Sequence, residues 1–214
     1  MKQALIVQGG WEGHQPAEVA ELLAQQLREE SFQVEVSDTL DSFLDAEKLA
    51  CQDLIVPVWT MGQISKEQLK PLLEAVKSGT GIAGCHGGMG DSFRNETQYQ
   101  YMVGGQWVAH PGGDGVHYDV FIKESKHPIM AGIEDFQVCS EQYYMHIDPA
   151  IHVLATTRFG DVEMPVAWTK TYGEGSVFYC SLGHQADIVA MPPVLRMMRQ
   201  GMIWAARSSV GSPF

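Results

Sequence analysis

Apolar and polar positions alternate along this chain in two rhythms, one of strands and one of helices. Leu5-Ile6-Val7 is a short apolar run stopped by Gly9-Gly10, and Pro16 then opens a segment whose Val19, Leu22, Leu23 and Leu27 keep the spacing of one helical face. Phe32 to Val36 alternates as a second strand. Asp53 to Trp59 is a third, nearly continuous in apolar residues, as expected for a strand covered on both faces. Ser65, with Gln68 three residues on, predicts a capped helix with Leu69, Leu72, Leu73 and Val76 on its apolar face and Gly79 at its end. Thr80 to Cys85 follows as a fourth strand. This alternation predicts an α/β fold with a doubly wound, mainly parallel sheet and right-handed crossovers.

The second half has a different texture. A short helix over Tyr99, Tyr101, Met102 and Val103 is expected to end at Gly104-Gly105, followed by a turn-rich loop holding Trp107, His110-Pro111 and Gly112-Gly113. His117 opens a strand over Tyr118 to Lys123, and His127-Pro128-Ile129 marks a turn into a short apolar plug. Glu141 to Asp148 is dense in hydrogen-bonding and metal-capable groups for a segment between apolar runs. His152 to Thr156 and Pro165 to Thr169 predict strands, and Tyr172-Gly173-Glu174-Gly175 is a hairpin-type turn into Ser176 to Leu182, which ends at Gly183-His184. Pro192-Pro193 opens a last helix with Val194, Leu195, Met198, Met202 and Ala205 on one face and Gly201 as a weak point.

Composition narrows the function classes. A length of 214 residues with 45% hydrophobic residues suits one domain spanning 1–214 around one core. The formal charge of −12, the pI near 5.0 and the lack of any Lys/Arg run argue against nucleic acid and anionic membranes as partners and leave a neutral small molecule. Cys51, Cys85, Cys139 and Cys180 have no C-x-x-C spacing, and Cys51, Cys139 and Cys180 lie in or beside apolar segments, where reduced, buried thiols are expected. With no signal peptide or run of transmembrane length, a reducing cytoplasm is the expected location.

The chemistry concentrates at Gly81 to Phe93, where a buried strand runs into a glycine-dense turn. In the register Gly84-Cys85-His86-Gly87-Gly88 the turn raises His86; shifted by one, it raises Cys85. A raised Cys85 beside a histidine predicts a thiolate nucleophile, and a raised His86 an acid/base or metal site. Spacing leaves both open. The Gly9 to Gln15 loop lies beyond the carboxyl end of a strand, which makes His14 and Trp11 candidates. Glu141 is a candidate general base or ligand, with Tyr143, Tyr144 and His146 beside it. His14, His110 and His117 can contribute to a metal site assembled only in three dimensions, with zinc the first divalent ion to consider. Trp11, Trp107 and Trp168 are candidates to stack on a sugar ring. Asp91-Ser92-Phe93 is expected to cap the next helix.

Taken together the motifs resemble the ThuA-like (trehalose utilisation) family of the class I glutamine amidotransferase-like superfamily. The carriers are Gly84-Cys85-His86-Gly87-Gly88, Val103 to Trp107 with His110-Pro111, His127-Pro128-Ile129, Glu141 to Tyr144, Pro165 to Trp168, and Gly175 to His184. The resemblance implies a flavodoxin-like sheet and a bacterial-type role in sugar catabolism, on 3-keto forms of glucosides rather than on glutamine. It sets His86 where the amidotransferases keep their cysteine and His184 near their catalytic histidine. Cys85 is one place off, and Ala186 stands where a partner glutamate is expected, with Asp187 one later. The implied enzyme uses His86, His184 and Glu141 for acid/base work, with His86 and His184 also as metal ligands, and Trp11, His14, Trp107, His110, Tyr143 and Tyr144 to hold the sugar. Two alternatives stand beside it: a non-catalytic sugar-binding or regulatory subunit, and a thiol hydrolase using Cys85 with His184. Association into a homo-oligomer is compatible with all three.

Overall fold

The chain alternates strand and helix through its first half and is mostly strand in its second; the computed structural model describes residues 1–207. In order the elements are β1 (Gln3–Gly10), α1 (Pro16–Glu29), β2 (Gln33–Ser37), α2 (Ala46–Ala50), β3 (Leu54–Thr60), α3 (Lys66–Lys77), β4 (Gly81–Cys85) and α4 (His86–Gly90). Then come α5 (Thr97–Val103), β5 (Gly105–Ala109), β6 (Val116–Ile122), β7 (Phe136–Ser140), β8 (Tyr144–Ile147), β9 (His152–Phe159), β10 (Val162–Tyr172), β11 (Gly175–Cys180), α6 (Ala186–Ala190) and α7 (Pro192–Ala205). The local signals work as their chemistry requires. Pro16 occupies the first turn of α1, and Ser65 with Gln68 forms the reciprocal capping box of α3 at 3.2 and 2.9 Å.

Nine strands form one sheet in the order β2-β1-β3-β4-β11-β10-β9-β6-β7. The expectation of a mainly parallel sheet holds for the first five, which pair parallel throughout. It needs correcting for the rest: β11-β10, β10-β9, β9-β6 and β6-β7 all pair antiparallel. The reason is local. The two-residue turn Gly173-Glu174 folds β10 straight back onto β11, with no helical crossover to restore a parallel direction.

Helices cover both faces of the parallel half, so its strands are buried on two sides. One core holds Ile6, Val56, Ala83 and Phe178 against α1 and α7; the other holds Leu5, Ile55, Ile82 and Tyr179 against α3 and α5. The alternation along each strand thus feeds two cores in turn. Cys85 belongs to the α1/α7 core, beside its registered partner Cys180. Cys51 and Cys139, expected to be buried, are exposed. The loop expected around Trp107 is instead strand β5, which pairs with β8 in a separate two-stranded sheet. Among the described residues no helix is long and apolar enough to cross a membrane.

Gly201 has a packing reason. A Cβ there would lie 2.2 Å from two carbons of the Phe178 ring. Gly201→Ala is therefore expected to lower stability by about 1–3 kcal/mol through overpacking, despite about 1 kcal/mol of helix propensity in its favour. The midpoint of urea unfolding reads this directly, and a raised midpoint would show that the ring yields.

Candidate metal centre

Three histidines follow the carboxyl ends of parallel strands: His14 after β1, His86 after β4 and His184 after β11. Glu141 follows β7, and the β6-β7 ribbon carries it to the same edge of the sheet. The Tyr118 hydroxyl donates to the Glu141 carbonyl at 2.9 Å and fixes the backbone there. Backbone strain gathers around this edge. His86 has φ 45°, Gln15 beside His14 has φ 49°, and Met61 beside Thr60 has φ 60°. Such left-handed angles in residues bearing a Cβ cost about 1–3 kcal/mol each and persist where surroundings enforce them. At His86 the enforcement is visible: the Tyr179 hydroxyl donates to its carbonyl at 3.0 Å, and Gly87 and Gly88 leave room for the turn.

The side chains converge on one carboxylate oxygen. Glu141 Oε2 lies 3.2 Å from His86 Nε2, 3.4 Å from His184 Nδ1 and 4.0 Å from His14 Nε2. His110 Nδ1 lies 3.8 Å from the other oxygen, Oε1. All four of His14, His86, Glu141 and His184 are buried, and one ligand atom from each falls within 4.8 Å of the others. Proton positions follow from the outer contacts. The Ser181 carbonyl, 2.8 Å from His86 Nδ1, can only accept, so Nδ1 carries the proton and neutral His86 turns the lone pair of Nε2 toward Glu141. Thr60 Oγ1, 2.8 Å from His14 Nδ1, accepts in the tautomer that does the same for His14.

Lone pairs facing a carboxylate repel unless a proton or a cation lies between them. A divalent ion resolves the conflict, because imidazole nitrogen and carboxylate oxygen bind such ions at about 2.0–2.2 Å, which sets neighbouring ligands about 3–4 Å apart. The outer carbonyl and hydroxyl are the usual orienting partners of metal-binding histidines. His14, His86, Glu141 and His184 therefore form a group that can hold a metal ion.

Electrostatics separates the histidines: His14 and His86 are held neutral, whereas His184 is drawn toward its protonated form beside the carboxylate. Burial lowers His14 to about 3, with His86 and His184 adding repulsion, and burial also lowers His86. Burial opposes ionisation of Glu141, but a proton shared toward it by His184, or by His86 in its protonated form, outweighs burial and holds the carboxyl well below its ordinary range. Hydrogen bonding to Glu141 raises His184. His14 sets a pH dependence. Between its unfolded value of 6.5 and about 3, the unfolded chain binds a proton that the folded chain refuses. Stability of the metal-free protein is thus expected to fall as pH drops from 6.5 toward 3. Urea unfolding at pH 7 and pH 5 tests this, and His14→Gln should flatten the difference.

The expected candidates divide clearly. His86 stands on the elbow, whereas Cys85 is buried in the α1/α7 core with its thiol pushed well above its ordinary value by burial. The thiolate register is thereby corrected: a thiol on that side of the strand cannot reach a substrate held over His86. Tyr143 stacks on the His86 ring, centroids 3.9 Å apart, and Trp107 lies 5.5 Å from His110. Trp11 is 46% exposed and meets His14 edge-on.

Other candidates lie elsewhere. Tyr144 packs on Phe159, His117 and His146 are exposed, and Asp148 pairs with Lys170 at 2.6 Å. Trp168 is fully buried and donates to the Val103 carbonyl, so it offers no sugar platform. Asp91, expected as a cap, instead takes both Arg94 nitrogens at 2.6 and 2.7 Å, and Arg94 lies over Trp107. Thr60, Ser181 and Gln15 were missed. Gln15 Oε1 accepts from Ala186 N at 3.1 Å and ties the His14 loop to the His184 loop; only the folded chain brings these groups together.

Solved structures share this fold. A thua-like protein from Bacteroides uniformis ATCC 8492 has 15% identity and a TM-score of 0.79, over 95% of this chain and 91% of its own. One from Parabacteroides merdae ATCC 43184 has 18% identity and a TM-score of 0.76, over 99% and 93%. A cytoplasmic protein from Salmonella typhimurium LT2 has 15% identity and a TM-score of 0.69, over 95% and 97%. At such identities the likeness is one of fold. No curated protein matches the sequence. The family described as ThuA, trehalose utilisation, matches residues 3–205, and the chain belongs to that family.

Proposed function

We propose that this chain is a cytoplasmic enzyme of sugar catabolism, acting on a glucoside or its 3-keto derivative with a divalent metal on His14, His86, Glu141 and His184. The observation that carries the proposal is the set of three buried imidazole nitrogens converging on Glu141 Oε2 beneath an aromatic rim. Bound there, an ion would polarise a substrate carbonyl or hydroxyl. The exposed ring of Trp11 offers a stacking surface for one face of a sugar, with Trp107 and His110 near the same centre. His110 Nδ1 is buried without a hydrogen-bond partner, while its side chain is 35% exposed, so the ring stands at the mouth as the nearest base for a substrate held there. A 3-keto group acidifies the adjacent C–H. If His110 takes that proton, its return to the former carbonyl carbon, with the neighbouring hydroxyl proton passing to the former carbonyl oxygen, is isomerisation. Departure of the glycosidic oxygen with the released electron pair, and its protonation, is elimination.

The strand order β2-β1-β3-β4-β11 supports reading the parallel half as flavodoxin-like and doubly wound. The Salmonella protein's cytoplasmic description and the acidic charge support the location, with a neutral sugar as partner in a single domain. Residues 208–214 of that domain lie outside the described residues. Turnover of a 3-keto-glucoside, followed by NMR of the products, is the test. Loss of turnover in both His86→Ala and His184→Ala is expected, and wild-type rates in both would end the proposal. The burial of Cys85 favours one other reading, a sugar-binding subunit without a nucleophile. It predicts calorimetric binding with neither product nor metal.

A further inference from the structure

We propose that this centre takes a divalent ion of six-fold preference, such as manganese, iron, cobalt or nickel, and that its ligand is an α-hydroxycarbonyl chelating through two oxygens. The argument is one of ligand number. Four protein donors complete a tetrahedral zinc site and close it, whereas catalytic zinc sites keep three donors and an open position. Here four donors are present and buried, and outer contacts aim two of them: Ser181 holds His86 and Thr60 holds His14. Closed zinc sites are also typically rich in cysteine, and neither buried thiol joins this set. A three-histidine, one-carboxylate set suits ions that accept six donors, and it leaves two positions for substrate.

The surroundings decide where those positions open. Tyr143, buried and stacked on His86, closes one flank. Thr60 and Gly87 close another: a Cβ on Gly87 would lie 2.6 Å from His14 Cε1 and 2.9 Å from Thr60 Cγ2. Exposure rises at Trp11 and His110, which mark the mouth. Two positions opening toward the same mouth would take a carbonyl oxygen and the hydroxyl on the next carbon. A 3-keto sugar carries that pair on both sides of its carbonyl, so the choice of ligand rests on the function proposed above.

The test is spectroscopic. Wild-type protein is dialysed into cobalt(II), and its visible spectrum is recorded alone, with dihydroxyacetone as the chelating probe and with acetone as the one-oxygen control. The expected result is one cobalt per chain with the weak absorption of a six-coordinate ion, shifted by dihydroxyacetone and not by acetone. An intense four-coordinate spectrum, no bound cobalt, or equal responses to the two probes would overturn the inference. The outcomes separate it from the functional reading. Keto-glucoside turnover with a four-coordinate spectrum sinks only this inference, and a six-coordinate, probe-sensitive spectrum without turnover sinks only the function.

Discussion

Glu141→Gln will lower metal affinity by about 100-fold or more, and turnover with it, and will lower the stability of the metal-free chain near neutral pH. Altering a group that merely orients a ligand costs 10–100-fold in affinity, and Glu141 is the one anion among the four donors. The stability half of the expectation comes from proton accounting: the fold holds the Glu141 carboxyl below its ordinary range, so a neutral residue gives up that stabilisation, part of which the amide restores. The glutamine amide keeps the shape and can donate to the Nε2 lone pair of His86, which the carboxylate now faces at 3.2 Å. The anchoring bond from Tyr118 goes to the backbone carbonyl of residue 141 and survives the change. Metal content after dialysis against a weak chelator, paired with urea unfolding of the metal-free protein, reads both halves. Full metal retention would remove Glu141 from the ligand set.

Gly87→Ala is the second large effect, and it acts at a distance from the carboxylate. The new methyl would stand 2.6 and 2.7 Å from His14 Cε1 and Nδ1, so the imidazole must leave Thr60 Oγ1 and swing away from the centre. Loss of one oriented ligand predicts a 10–100-fold fall in metal affinity, with about 1–3 kcal/mol of stability lost to overpacking. His86 remains on its elbow, so the two histidines can be told apart by NMR of their ring protons. Unchanged His14 resonances with unchanged metal affinity would show that Thr60 gives way instead.

Much of this was legible in the residues. Ser65 and Gln68 cap a helix because their chemistry is local, and Gly84 to Gly88 mark an elbow because glycine spacing is local too. The register at Cys85 and His86 was not readable from spacing, since it depends on which face of β4 meets α7. His14 was visible as a candidate only by lying after a strand; its contact with Thr60 is set by β1 pairing with β3. Glu141 and Tyr144 are both candidates in a string that ends at Asp148. What separates them is that Glu141 precedes β8, while Tyr144 and Asp148 are drawn to Phe159 and Lys170.

The place of β11 has a consequence for synthesis on the ribosome. Among the described residues it is the last strand in sequence, yet it lies in the middle of the sheet, between β4 and β10. Until Gly175 to Cys180 emerge, the parallel and antiparallel halves have no strand to join them, and β4 and β10 each present an open edge. His184 follows a few residues later, so no nascent chain that stops short of it holds the full ligand set. Closure of the sheet and readiness to take up metal thus arrive together.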